Sequence, residues 1–400
     1  MSVLNAYCHP KEMNILIQLS HPAHFHLYKN AIKNLQEDGH QVHVLIKTKD
    51  ILEELCQNSQ IPYHNILPIA HRKTKLGVLW DMAVRDWKIL CFCIKHKIDI
   101  LSGSTPEVAH VSKILRLHSV TTTEDDMTVI PAFVNAIKPF IQSMLAPVVC
   151  NTTSLEKHTV HYPSYHELAY LHPNHFTPSR EVVESYGIDT SKPYFILRFA
   201  SLNAHHDDGI KGINTEVAQR LVDILSPHGQ IYITSERELE PQFEPYRIRI
   251  NPLDMHHVMA FASLYIGDSQ TMAAEAGVLG TPFVRFNDFV GRIGYLRELE
   301  DVYQLGYGIH ASPLTEASPI RRNDGSLQPS GTAALYSAVE TLVAMPANER
   351  QTLFHSRREK MLSDKIDYAK YLTWFIENYP ASAKQTRENQ NNTAFWAQFK

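Results

Sequence analysis

One rhythm governs most of this chain. Residues 14–19 form a short apolar run. A polar loop follows, then residues 25–38 with helical spacing, stopped by Gly39. Residues 41–46 are a second apolar run, and residues 50–59 a second helical stretch. Strand, loop, helix and strand in this order imply a parallel sheet with helices on both faces. Further strands are expected at 63–67, 98–101, 119–122 and 147–150, with helices at 76–96 and 108–117. Residues 162–193 interrupt the pattern with Pro163, Pro173, Pro178 and Pro193 among aromatics and histidines, a composition that suits an inter-domain connection. The rhythm then restarts: strand 194–199, helix 214–225, strands 230–234 and 247–250, helix 255–262 and strand 264–266.

A chain of 400 residues has room for two such units. The expected division is a loose extension at 1–12, a first domain at 13–175, a second at 176–370, and a C-terminal helix and tail at 371–400. The helix would cross back to the first domain, and the Gln/Asn-rich end would be loose. Two consecutive βαβ units leave a cleft at the carboxyl ends of their strands, where ligands of open α/β sheets bind.

A formal net charge of -4 gives no general electrostatic case for nucleic acid. The five cysteines show no CxxC pair and read as reduced thiols of a cytoplasmic protein. His9, Pro10, Lys11 and Glu12 leave no apolar leader near the start, and no stretch reaches the length needed to span a bilayer.

Five segments carry candidate chemistry. The most informative runs from Gly267 to Pro282, between two apolar runs. A polar turn, Asp268-Ser269-Gln270-Thr271, opens an Ala-rich helix that stops at Gly280-Thr281-Pro282. A helix amino terminus offers free N–H groups and the positive end of the dipole, which suits a phosphate, and Glu275 could accept from a sugar hydroxyl. The plain alternative is an N-capped α/β turn.

The second segment is the loop Ser20-His21-Pro22-Ala23-His24 after the first strand. His21 or His24 at the cleft would serve as base, phosphate ligand or acceptor contact, since imidazole titrates near neutrality; otherwise these rings cap the helix. His26 lies within the helix and reads as structural. The third, Thr123-Glu124-Asp125-Asp126, places acids at a strand end, either as base or metal ligand or as an N-cap run.

The fourth runs from Arg198 to Gly209. Arg198, Ser201, Asn203 and His205 would touch diphosphate, or the loop is merely solvated. Zinc at His205-His206-Asp207-Asp208 is disfavoured because adjacent residues rarely chelate one ion, and no metal is expected. The fifth, His71-Arg72-Lys73-Thr74-Lys75 followed by Trp80 and Trp87, has two readings: peripheral contact with an anionic membrane, or a buried helix with a solvated basic start. The second is the simpler.

Taken together, these pieces resemble the uncharacterised domain family DUF354. The matching stretches are Leu19 to His24, Glu124-Asp125-Asp126, Tyr162 to Pro173, Arg198-Phe199 with Asn203 to Asp207, and Asp268 to Pro282. The resemblance implies a GT-B fold: an α/β protein of two Rossmann-like domains with a central cleft for a nucleotide sugar. It is similar to hydrolysing UDP-N-acetylglucosamine 2-epimerases and GT-B glycosyltransferases. By that resemblance Asp268, Ser269, Gln270 and Thr271 would grip diphosphate, and Glu275 would bind ribose hydroxyls. Glu124 would match an epimerase acid, and His205 or His206 a C-domain histidine. Where the epimerases carry Gly-Asp-Thr, this chain reads Gly103-Ser104-Thr105 and lacks that carboxylate.

The expectation is glycosyl transfer from a nucleotide-diphosphate sugar to a sugar or lipid-linked acceptor, in surface polysaccharide or glycolipid synthesis. No cofactor is expected, and the oligomeric state stays open. His24 or Glu124 would be the base, with His21 beside them. Ser269 to Thr271, with Arg198 and His205, would stabilise the departing diphosphate. The alternatives are a 2-epimerase and a non-catalytic nucleotide-sugar-binding protein.

Overall fold

The computed structural model describes residues 12–67, 75–200, 212–316 and 319–400. The loop residues Ser201, Asn203, His205 and His206, and the run His71 to Thr74, lie outside the described residues.

Apolar runs become strands and the amphipathic stretches between them become covering helices. In the first unit these are β1 (Asn14–Leu19), α1 (Pro22–Glu37), β2 (Gln41–Lys47), α2 (Leu52–Asn58), β3 (His64–Leu67), α3 (Lys75–His96), β4 (Ile100–Gly103), α4 (Pro106–Leu115), β5 (His118–Thr122), α5 (Pro131–Ile137), β6 (Ser143–Pro147) and β7 (Thr159–Tyr162). All seven strands pair in parallel, in the order β3-β2-β1-β4-β5-β6-β7. A connector follows, with a tight helical turn at His166–Ala169 and α6 (Arg180–Ser185).

The second unit holds β8 (Tyr194–Phe199), α7 (Thr215–Leu225), β9 (Gln230–Ser235), α8 (Met255–Ala260), β10 (Leu264–Gly267), α9 (Gln270–Leu279), β11 (Phe283–Phe286), α10 (Gly294–Arg297) and β12 (Gly306–Ile309). Its five parallel strands lie in the order β12-β11-β10-β8-β9. α11 (Gly331–Ala344), α12 (Ala347–Asp364), α13 (Tyr368–Glu377), α14 (Ala381–Glu388) and α15 (Thr393–Ala397) complete the chain. α13 returns to the first unit and packs on α1. Each sheet reverses its winding once, between β1 and β4 and between β8 and β10. Such switch points are where open α/β sheets hold ligands.

Several sequence expectations are corrected. The strand expected at 147–150 is β6, which ends at Pro147; Val148 is exposed, so the apolar pair at 148–149 is not sheet core. The strand expected at 247–250 is reduced to one bridge, Ile233 to Arg247, between Pro245 and Pro252. β7 and β12 are additional strands. The tail is not loose: Trp396 and Phe399 are buried, with ring centroids 5.5 and 5.2 Å from that of Tyr371. Two large apolar side chains outweigh the polar residues around them.

Candidate active site

Four of the five segments singled out in the sequence follow β1, β5, β8 and β10, at or beside the two switch points. Contacts across the units draw them together. The Gly294 N–H donates to Asp126 Oδ2 at 2.6 Å, and the Tyr165 hydroxyl donates to Glu298. A Cβ on Gly294 would sit 2.3 Å from the Val149 carbonyl oxygen, so only glycine allows this approach.

The loop after β1 fixes two imidazoles. His21 is the N-cap of α1, and its Nδ1 accepts from the Ala23 N–H at 3.2 Å. His24 Nδ1 accepts from the Ser20 N–H at 3.3 Å. A backbone N–H can only donate, so each neutral ring carries its proton on Nε2. Burial holds the His24 pKa well below its ordinary value, aided by the nearby His21, His166 and Lys47. His21 is an exposed residue, and partial desolvation in the loop lowers it more gently, against the attraction of Asp50 and Glu236, the last from the second unit. Both rings are therefore neutral N–H donors at pH 7. Lys47, at the end of β2, is pushed down to about 8 by burial and the Arg85 guanidinium.

Just past β5, the largely buried Glu124 accepts from the His166 N–H at 3.3 Å, and its Oε2 lies 3.4 Å from His166 Nδ1. Burial, then Glu167 and Asp125, raise its pKa well above the ordinary carboxylate range. Burial pushes His166 down to about 3, so that ring is neutral. Glu167 is 1% exposed, and neither carboxyl oxygen has a hydrogen-bond partner. Burial pushes it up to about 8. Where the resemblance sought a Gly-Asp-Thr, the Ser104 hydroxyl instead bonds Thr122 Oγ1 at 2.7 Å, and Thr105 donates to Gln18 Oε1 at 2.6 Å.

On the facing unit, Ser269 caps α9 by accepting from the Met272 N–H at 3.4 Å. Gln270 and Thr271 stand half-exposed in the first turn, where N–H groups lack intrahelical acceptors. Asp268 is buried. Its carboxylate accepts from Ala200 N–H at 2.6 Å and from Ile213 N–H at 3.3 Å, so it binds both flanks of the segment holding Ser201, Asn203 and His205. Arg198, at the end of β8, pairs with Glu236 and keeps its buried Nε without a partner.

Glu275 is buried at the floor between the units. Its Oε1 accepts from the Tyr170 hydroxyl at 2.8 Å and from His256 Nε2 at 3.0 Å, and the His26 ring packs on both donors at 5.1 and 5.0 Å. A Tyr170→Phe variant is expected to lose about 1–2 kcal/mol of unfolding free energy, because a buried carboxylate gives up one of its donors. Urea denaturation measures this, and an unchanged midpoint would show that the bond holds nothing.

The pattern of the sequence overlooked His166, Glu167, Tyr170 and His256. Three of them lie in the Pro- and aromatic-rich connector; its density of His and Glu was the available signal. Among the described residues no group of three or more His, Cys, Asp or Glu is placed to hold a metal ion.

No family model matches the chain, and no curated protein matches it. Solved structures do. An S. aureus MnaA–UDP co-structure superposes with a TM-score of 0.62 at 12% identity, over 92% of this chain and 97% of that one. UDP-GlcNAc 2-epimerase from Neisseria meningitidis bound to UDP-GlcNAc gives 0.58 at 13%, over 95% and 100%. Spinosyn rhamnosyltransferase SpnG complexed with spinosyn aglycone gives 0.55 at 13%, over 90% and 99%. The chain has the GT-B fold. Two Rossmann-like halves account for nearly all of its length, and the polar strand ends described above lie between them.

Proposed function

We propose that the chain transfers a glycosyl group from a nucleotide-diphosphate sugar to a sugar or lipid-linked acceptor, in surface polysaccharide or glycolipid synthesis. The carrying observation is the pairing of Glu124, a largely buried carboxyl of raised proton affinity after β5, with the open first turn of α9 across the switch points. The solved structures with bound UDP, UDP-GlcNAc or an aglycone support the reading.

In this scheme the diphosphate lies on Ser269, Gln270 and Thr271 at the amino end of α9, with Arg198, Ser201, Asn203 and His205 around it. Asp268 holds the flanks of the loop, a role its negative charge suits better than contact with phosphate. Glu275 has given Oε1 to protein donors, which leaves Oε2 for the ribose. Glu124 takes the proton of the acceptor hydroxyl. The acceptor oxygen bonds the anomeric carbon as the bond to diphosphate breaks, and the nucleotide diphosphate leaves with the electron pair. His21 and His24 donate Nε2–H to acceptor or leaving-group oxygens.

Binding of donor is tested by a thermal-shift panel of UDP, dTDP, GDP and their sugars, since a ligand of the folded state raises Tm. One nucleotide series is expected to do so. Thr271→Val, which removes a hydroxyl without changing shape, is expected to weaken that ligand about tenfold, as one hydrogen bond to a charged group allows. A flat panel, or a variant that binds as the wild type does, refutes the site.

A second reading, 2-epimerisation, is favoured by the two adjacent carboxyls with raised proton affinity, Glu124 and Glu167. It requires removal of the C2 hydrogen of the sugar. Solvent deuterium entering C2 of a UDP-sugar without acceptor marks it. Binding without turnover under any acceptor marks a non-catalytic protein.

A further inference from the structure

α3 is the longest helix of the first unit and has two unlike faces. Ile89 and Cys93 pack inward, in one apolar cluster with Leu16, Leu45 and Leu101. The other face carries Leu79, Trp80, Trp87 and Ile94, which are 56, 60, 67 and 61% exposed. Ile114 of the adjoining α4 adds a further side chain 61% exposed. The simpler sequence reading, a buried helix, is therefore corrected: both indoles stand in solvent. Trp80, Trp87 and Ile94 recur every seven residues, which aligns them in a stripe of about 21 Å along one side of the helix.

The exposed charges on and just after these helices are predominantly positive, Asp99 being the exposed acid among them. α3, α4 and α5 contain three acidic residues. Asp81 and Glu107 are buried, with Glu107 paired to Arg85, and Asp86 is bound to His110. Lys95, Lys97, Lys113, Arg116 and Lys138 are exposed on these helices or directly after them. Indole rings with an apolar body and an N–H handle suit the lipid–water boundary, and a cationic rim suits anionic headgroups. A second copy of the chain meeting this face across a two-fold axis would set the same cations against each other.

We propose that the outer face of α3, with Ile114, docks the protein on an anionic phospholipid bilayer. As the crossover between parallel β3 and β4, α3 runs against the strands, so Leu79 and Trp80 lie at the carboxyl-end side of the sheet, the side of the cleft. Docking brings the rim of the cleft to the lipid surface. Among the described residues no helix is long and apolar enough to cross a membrane, so this contact is interfacial. It stands independently of the donor and of the chemistry in the cleft.

The test is co-sedimentation of the full-length protein with vesicles of phosphatidylcholine alone or with one third phosphatidylglycerol. Binding to the anionic vesicles is expected, at least fivefold stronger than to neutral ones and weakened by 0.5 M salt, as ionic screening over about 3–10 Å requires. Trp80→Ser with Trp87→Ser is expected to lower the bound fraction at least tenfold with unchanged circular dichroism and Tm. Lys95→Glu with Lys113→Glu is expected to abolish the preference for anionic lipid and leave the fold intact. Equal sedimentation of wild type and the tryptophan variant overturns the proposal. So does equal binding to neutral vesicles, or a wild-type dimer in analytical ultracentrifugation that the tryptophan variant dissolves.

Discussion

A Glu124→Gln variant is expected to lose about 10²–10⁴-fold in kcat for donor-dependent turnover, the range that removal of a positioned acid or base produces. Its affinity for nucleotide should stay within about threefold, because the proposed donor site lies on α9 and no nucleotide contact is assigned to Glu124. The pH profile separates this role from a structural one. Burial, Glu167 and Asp125 all favour the protonated form of Glu124, so its pKa lies above the carboxylate range. A base must be deprotonated to act, so kcat of the wild type should rise with pH through that raised value. The Gln variant should lack this rising limb. A falling limb in the wild type would make Glu124 the proton donor instead, and turnover unchanged by the substitution would remove it from the chemistry. The same measurement bears on His24. With Nδ1 committed to the Ser20 N–H, that ring faces its surroundings as a donor, and His24→Gln, which keeps a donor in reach, should retain more activity than His24→Ala.

The sheets were legible in the sequence because buried parallel strands need largely apolar runs such as Asn14–Leu19 and Tyr194–Phe199. Loop position followed from them: once β1, β5, β8 and β10 are placed, their polar ends must face the switch points. The direction in which each side chain would be used was not legible. Asp268 reads as a phosphate-turn residue, yet its carboxylate closes on the backbone of Ala200 and Ile213, partners over 50 residues away that only the paired β8 and β10 bring near. The tautomer of His24 depends on a single backbone N–H. Glu167 sits in a segment whose prolines signal a connector, and nothing local marks it as buried. Its environment is assembled from α1, α9 and α13, far apart in the chain. Trp80 and Trp87 carry helical spacing that suits core or lipid equally, and only the packing of α3 against β3 and α4 decides which face is left open.

Glu167 also sets an expectation for stability. The carboxyl is buried with both oxygens unpartnered, beside Glu275 and Asp125, and its pKa stands at about 8 against an ordinary 4.5. Ionising it in the folded protein is therefore unfavourable. A carboxyl whose folded pKa is raised contributes its full share of stability below the unfolded pKa and loses that share as pH rises through the folded one. The window here is from about pH 4.5 to 8. A shift of this size corresponds to roughly 3–5 kcal/mol across the window, at about 1.4 kcal/mol per pH unit. Glu167→Gln places an uncharged group of the same shape where the native acid is itself neutral at low pH. Wild type and variant should have similar unfolding free energies at pH 5, and the variant should be more stable by several kcal/mol at pH 8. Urea denaturation at the two pH values measures the difference. Parallel loss of stability in both proteins would mean that Glu167 is not the group whose ionisation the fold resists. If the variant is instead less stable at pH 5, the acid proton of Glu167 is bonded to a neighbouring group that the amide replaces poorly.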